Sequence, residues 1–245
     1  MTVSCIIPAF NEARNIAGVL REVKRVGAID EIIVVDDGSS DKTYDAARSE
    51  GVAVIRHTAN KGKGAAIKSG LSVATGDVIV FLDADLTNIT AKKVGLLVSG
   101  IKKGLADVVI GTFNFNCYQT FTEVVYRPLM NLLFPEVLLK INQGLLSGQR
   151  AFRRGVLDKL HLRDDFGFET AMNIELSFLK PEPRIRFVDL GNINPVNKGC
   201  QESMRVIADT ILDYARKYGR IGRLGDSSIK HVSGILYKAV SGAVR

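Results

Sequence analysis

Over residues 1–110, short β-branched runs alternate with segments of helical periodicity, which restricts the chain to a mostly parallel α/β sheet. Residues 3–7 (VSCII) form the first run. Pro8-Ala9-Phe10-Asn11-Glu12 breaks it, and Ile16, Val19, Leu20 and Val23 follow at helical spacing. Residues 31–35 (EIIVV) form the second and end in Asp36-Asp37-Gly38-Ser39, with Ser40 or Asp41 placed to cap the next helix. Residues 52–55 are a third strand, after which Asn60-Lys61-Gly62-Lys63-Gly64 opens a helix running to about Ala74. Residues 78–86 (VIVFLDADL) are the fourth, a helix over about 91–103 follows, and residues 107–110 are the fifth. Parallel neighbours need right-handed crossovers through those helices. The expected fold is a three-layer α/β sandwich with a mostly parallel sheet and C-terminal helices.

The fourth run reads as a strand buried on both faces, and it stops at Asp83-Ala84-Asp85. Carboxylates at i and i+2 point the same way, into the crevice beyond the carboxyl ends of the strands where such sheets bind ligands. Two like charges that close repel and are costly to desolvate. A divalent cation with positions left for phosphate oxygens resolves that conflict, so Asp83 and Asp85 are the expected ligands of Mg²⁺ or Mn²⁺. Residues 8–12, 36–39 and 60–64 end the neighbouring strands with further polar groups. Acids suit ribose and base edges, and Lys61 or Lys63 suits phosphates. Gly62 and Gly64 permit close backbone approach, and a helix N-terminus favours an anion. The GxGxxG pattern is absent, which disfavours a nicotinamide site.

Composition narrows the setting. With 46% hydrophobic residues, the 245-residue chain can bury a substantial core. It carries no apolar run near the 18 or so residues of a membrane span and no signal-peptide pattern. Cys5, Cys117 and Cys200 lie far apart without metal spacing, as expected of a reducing, cytoplasmic compartment. A net charge of +7 fits anionic partners, yet the basic residues form no nucleic-acid-like run.

Pro-Ala-Phe-Asn-Glu, Asp-Asp-Gly-Ser, Asn-Lys-Gly-Lys-Gly-Ala and Asp-Ala-Asp, in this order, resemble the nucleotide-sugar glycosyltransferases of the GT-A fold and their DXD motif. That resemblance implies donor contacts from Pro8, Ala9, Asn11, Glu12, Asp36 and Asp37, with Asp36 and Glu12 near a uridine or guanosine. It implies Lys63 near the diphosphate, and Asp83, Ala84 and Asp85 around the metal.

Residues 122–136 read as one amphipathic helix stopped by Pro135, its packing face formed by Val125, Leu129, Leu132 and Leu133. Ser147-Gly148-Gln149-Arg150, Phe166-Gly167-Phe168-Glu169 and Val188-Asp189-Leu190-Gly191 follow. The whole order is similar to the glucosyl-3-phosphoglycerate synthases, which move glucose from a nucleotide-glucose to the 2-hydroxyl of 3-phosphoglycerate with retention. By that resemblance Gly148 walls the sugar pocket, Glu169 contacts the donor sugar, Thr122 lies on the acceptor side, and Asp85 and Glu169 are the candidate catalytic residues. Two departures concern the acceptor and the metal. Thr120 stands where the family has a phosphate-holding arginine, and no histidine follows Gly191, where the family completes its metal shell. Asn197 is the candidate match for the family's asparagine, and Lys198 and Arg150 are candidate replacements for the phosphate clamp. His57, His161 and His231 read as surface or packing residues.

Residues 201–218 form a helix with an apolar stripe, 219–228 a basic linker, and 229–244 a second amphipathic helix. That last helix is expected to dock on its own domain or on a second copy as a homodimer, or to lie at a membrane face. The expected division is a catalytic domain over 1–218, with a nucleotide half (1–110) and an acceptor half (111–218), and an appendage over 219–245. The expected activity is metal-dependent transfer of a hexose from UDP-glucose or a GDP-hexose to a small anionic acceptor. A polyprenyl-phosphate glycosyltransferase, with a lipid-phosphate acceptor and peripheral membrane contact, is the second reading. A nucleotide-sugar-binding protein without turnover is the third.

Overall fold

The computed structural model describes residues 1–114, 122–193 and 200–221. Its sheet comprises β1 (Val3–Ala9), β2 (Glu31–Asp36), β3 (Ala53–Arg56), β4 (Val78–Phe81), β5 (Val108–Asn114), β6 (Arg150–Arg153) and β7 (Ile185–Asn192). The strand order is β3-β2-β1-β4-β6-β5-β7. β6 runs antiparallel to both β4 and β5, and every other pairing is parallel. The helices are α1 (Ile16–Lys24), α2 (Thr43–Ser49), α3 (Lys63–Val73), α4 (Ala91–Lys102), α5 (Arg127–Leu133), α6 (Pro135–Lys140), α7 (Arg154–Leu157), α8 (Phe168–Phe178) and α9 (Cys200–Lys217).

Side-chain alternation along the strands feeds two cores, one on each face. Val3, Cys5, Ile7, Val78 and Val80 pack with Val19 and Leu20 of α1 and Val94 and Leu97 of α4. Ile6, Ile79 and Phe81 face the other way, onto Ile67 of α3, Met172 of α8 and Ile211 of α9. Each such side chain contributes about 1.5–3 kcal/mol when fully buried. The three-layer, mostly parallel α/β expectation is therefore met, and the runs continuous in apolar residues are those buried on both faces.

The structure corrects three local expectations. The fourth strand ends at Phe81, so Asp83 to Asp85 lie in the turn beyond it. Residues 122–136 are not one helix: a π-helical turn spans Thr122–Tyr126, α5 follows, and the chain breaks at Phe134 (φ −143°). Pro135 then begins α6 at its first position, where a missing N–H is no loss. The wider i→i+5 turn rotates the packing face. Val125, Tyr126, Met130 and Leu133 are buried, whereas Leu132 is 77% exposed. Finally, β6 forms a strand where the sequence indicated only a pocket segment. Thr120, Asn197, Lys198 and the amphipathic segment 229–244 lie outside the described residues.

Candidate active site

β4 delivers Asp83 and Asp85, and β6 delivers their neighbours. Phe81 pairs with Arg150 across the antiparallel ladder, so Gly148 and Gln149 run alongside the turn that leaves β4. A β-carbon on Gly148 would lie 2.6 Å from both Asp83 Oδ2 and Lys63 Nζ, so any larger residue there must push one of these side-chain ends aside. Lys63, the first residue of α3, brings Nζ within 2.6 Å of Asp83 Oδ1 and 2.6 Å of Glu169 Oε1. Glu169 is the second residue of α8 and is buried. Gln149 Nε2 donates to Asp83 Oδ2 at 2.9 Å. Asp83 is thus held from two sides, by a cation and by an amide.

Burial alone would lower the Lys63 ammonium, but Asp83 and Glu169 outweigh it and hold Lys63 above the usual lysine range. The Phe166 ring lies 5.8 Å from the same nitrogen. Asp85 feels the opposite. Burial, then the charges of Asp83 and Glu12, push its carboxyl up to about 7, with Lys63 pulling it back. This crowding of acids is the feature a divalent cation would relieve. No cluster of three or more His, Cys, Asp or Glu side chains able to hold a metal forms among the described residues. The chain therefore offers two carboxylates, Asp83 and Asp85, a donor set that fits a hard cation completing its shell with phosphate oxygens and water.

The second and first strand ends carry the remaining candidates. Asp36 is fully buried; its Oδ1 accepts from Ser39 N at 3.0 Å. Arg56 Nε lies 3.2 Å from Oδ2 as an ion pair but does not aim a hydrogen at it, so Oδ2 lacks a hydrogen-bond partner among the described residues. An orphaned buried acceptor is suited to the imide N–H of a base. Asp37 is arranged otherwise: it accepts from Lys61 N (3.0 Å), Gly62 N (2.9 Å) and His57, organising the chain's own loop. Glu12 Oε2 accepts from Asn15 Nδ2 at 2.7 Å, and Asn11, at φ +55°, accepts through Oδ1 from Ser40 N at 2.9 Å. Pro8 and Ala9 pair with Val35 and Asp36 inside the sheet. The Ala84 methyl is buried in the α1–α4 core. Thr122 is half-buried at the start of the π-helical turn.

Two expectations change. A β-carbon on Gly64 would overlap the Arg163 carbonyl, and one on Gly62 (φ +101°) would lie 2.6 Å from Asp164 O. Ala65 N donates to that Asp164 carbonyl at 2.9 Å. The glycines therefore admit the chain's own 163–165 segment against α3. Arg150 is fully buried and donates to Ser147 O, Asn173 Oδ1, Gly144 O and Leu145 O. Burial pushes its guanidinium down to about 10. Engaged on four acceptors inside the core, it cannot clamp an acceptor phosphate. Gln149 and Arg56 join the site without having been expected. Adjacency to Gly148 was the only signal for the first, and a strand end beside β2 the only one for the second.

The chain is similar to known proteins over most of its length. The family model described as glycosyl transferase family 2 matches residues 4–161. The glucosyl-3-phosphoglycerate synthase of Mycobacterium tuberculosis is 30% identical over 198 residues, covering 71% of this chain and 60% of the relative. The dolichol-phosphate mannosyltransferase of Pyrococcus furiosus is 32% identical over 71% of this chain and 52% of that protein. The chain thus spans about half to three-fifths of the length of these relatives. A crystal structure of the M. tuberculosis synthase in complex with Mn²⁺, uridine diphosphate and phosphoglyceric acid superposes with a TM-score of 0.78 at 30% identity. It covers 87% of this chain and 78% of the other. With a GT-A sheet, acids at its carboxyl edge and a family match over most of its residues, this chain belongs to glycosyl transferase family 2.

Proposed function

We propose that the protein transfers glucose from UDP-glucose to a small phosphorylated acceptor, 3-phosphoglycerate in the first instance, with retention of configuration. The observation that carries this is the Lys63 bridge between Asp83 and Glu169, closed over by Gly148. In this reading residues 1–110 bind the donor and 111–218 shape the acceptor side. Asp36 Oδ2 takes the imide hydrogen of the base, and Lys63 turns from the carboxylates toward the diphosphate. Glu169 orients the sugar hydroxyls rather than acting as a base on the acceptor. Asp83 and Asp85 would hold Mg²⁺ or Mn²⁺, which when bound neutralises charge developing on the departing diphosphate. The M. tuberculosis synthase, crystallised with Mn²⁺, UDP and phosphoglyceric acid, supports the donor, the metal and the acceptor class.

The similarity to the dolichol-phosphate mannosyltransferase favours a second reading, with a lipid phosphate as acceptor. No helix among the described residues is long and apolar enough to cross a membrane. One panel separates the readings: UDP-glucose and GDP-mannose, each with 3-phosphoglycerate, glycerol 3-phosphate or dolichyl phosphate. The expected result is UDP release with 3-phosphoglycerate and an α-linked product by proton NMR. A β-linked product on dolichyl phosphate would replace this reading with the second.

A further inference from the structure

A polar chain runs from Asp37 through His57 to Ser69 behind the carboxyl edge of the sheet, and the roles of His57 and Ser69 are not accounted for by the site described so far. Asp37 Oδ1 is 2.6 Å from His57 Nδ1, and His57 Nε2 is 2.8 Å from Ser69 Oγ. His57 and Asp37 are buried. Because the Asp37 carboxylate only accepts, and already accepts from the amides of Lys61 and Gly62, Nδ1 of His57 must donate. Ser69 Oγ then serves as the hydrogen-bonding partner of Nε2. The three residues come from three places: the residue after β2, the residue after β3, and the second turn of α3.

The order Ser-His-Asp is that of a hydrolytic triad, but the surroundings are not. Ser69 sits mid-helix, where the neighbouring amides are engaged in the helix itself and supply no oxyanion donors. The group does mechanical work instead. The residues 61–62 turn carries Gly62 at φ +101° directly into Lys63. Asp37 holds that turn by two amides, and His57 fixes the Asp37 carboxylate and ties it to α3 through Ser69. A shift of about 1 Å at a reacting or binding group is enough to lose about 10²-fold in efficiency.

We infer that His57 is a positioning residue, setting through Asp37 the turn that presents Lys63 to the donor diphosphate. The inference rests on the proposed donor reading. His57→Leu removes both hydrogen bonds, whereas His57→Asn retains an N–H donor near the Nδ1 position. In His57→Leu the donor KM and the dissociation constant for UDP should rise about tenfold, the effect of one lost hydrogen bond near a charge. The kcat and the acceptor KM should stay within about twofold by the same reasoning, and His57→Asn should recover most of the loss. Amide hydrogen exchange at Lys61 and Gly62 should speed up in His57→Leu by more than the variant's global loss of stability, read from urea unfolding, accounts for. Should that variant not fold, Ser69→Ala removes the outer anchor and should give a smaller rise in donor KM. Unchanged exchange at the two amides, or faster exchange with unchanged UDP affinity, would overturn the inference. A wild-type protein that binds neither UDP nor GDP would instead overturn the proposed function, while the exchange measurement would still decide whether His57 holds the turn.

Discussion

Arg150 Nη1 donates to Asn173 Oδ1 at 2.6 Å, and this bond joins β6 to α8 inside the core. Asn173 in turn donates to the Leu145 carbonyl at 2.6 Å, so one guanidinium and one amide hold the approach to Gly148. Lysine cannot reproduce the planar fork. Arg150→Lys should therefore destabilise the protein by about 2–4 kcal/mol, because buried acceptors are left unpaired. Urea unfolding gives the answer, and a loss below about 1 kcal/mol would mean that water replaces the fork.

Gly148→Ala tests the closeness of the cluster. The added methyl must displace Lys63 or Asp83, each only 2.6 Å from the position of its β-carbon. Turnover should fall at least about 10²-fold, as for an ångström-scale displacement of reacting groups. Circular dichroism and the melting temperature should stay near wild type, since the collision lies at the crevice. Wild-type kcat/KM in this variant would show that the Lys63 bridge opens without consequence.

Asp85→Asn should abolish sugar transfer and weaken Mn²⁺ binding, followed by the ion's electron paramagnetic resonance. The metal-free protein should be as stable as wild type or more so, because burial, Asp83 and Glu12 all disfavour the Asp85 charge. A marked loss of stability would show that Asp85 supports the fold instead.

At the opposite edge of the sheet, Asp107 receives a bidentate grip from Arg184, with Nη2 to Oδ1 and Nε to Oδ2 both at 2.9 Å. Arg153 Nε lies 3.1 Å from the same carboxylate. These hydrogen bonds, Arg184 foremost, hold the carboxyl down to about 2. Its value in the unfolded chain is about 3.9, so the folded state binds fewer protons across that interval. The stabilisation is complete above about pH 4 and is lost as pH falls from about 4 toward 2. Asp107→Asn should flatten that slope and, because Arg184 is largely exposed, cost only about 0.5–1 kcal/mol at pH 7. Activity at pH 7 should be unaffected; an equal acid slope in the variant would assign the transition to other carboxylates.

What could be read from the chain follows burial. β1, β2 and β4 are legible because strands covered on both faces need unbroken apolar residues. β6 is not, since Arg150-Ala-Phe-Arg153 looks like surface until Arg150 is seen to find four acceptors inside. Adjacent acids are ambiguous for a related reason. Asp36 and Asp37 leave a strand end on opposite sides, and composition does not say which faces the crevice. The histidines show the same limit: His57, expected to be a packing or surface residue, is buried, and its partners lie 12 and 20 residues away in sequence.

The placement of β6 also bears on how the molecule assembles during synthesis. β5 emerges from the ribosome before β6 and β7, the two strands it pairs with. The central gap beside β4 stays open until residues 150–153 arrive. An N-terminal fragment ending near residue 140 would therefore expose an unpaired β4 edge and an orphan β5, the condition that favours aggregation in nascent chains. Closing the centre of the sheet late in this way also brings Gly148 to Asp83 and Lys63 in the same step, so the crevice takes shape only as the middle of the sheet is completed.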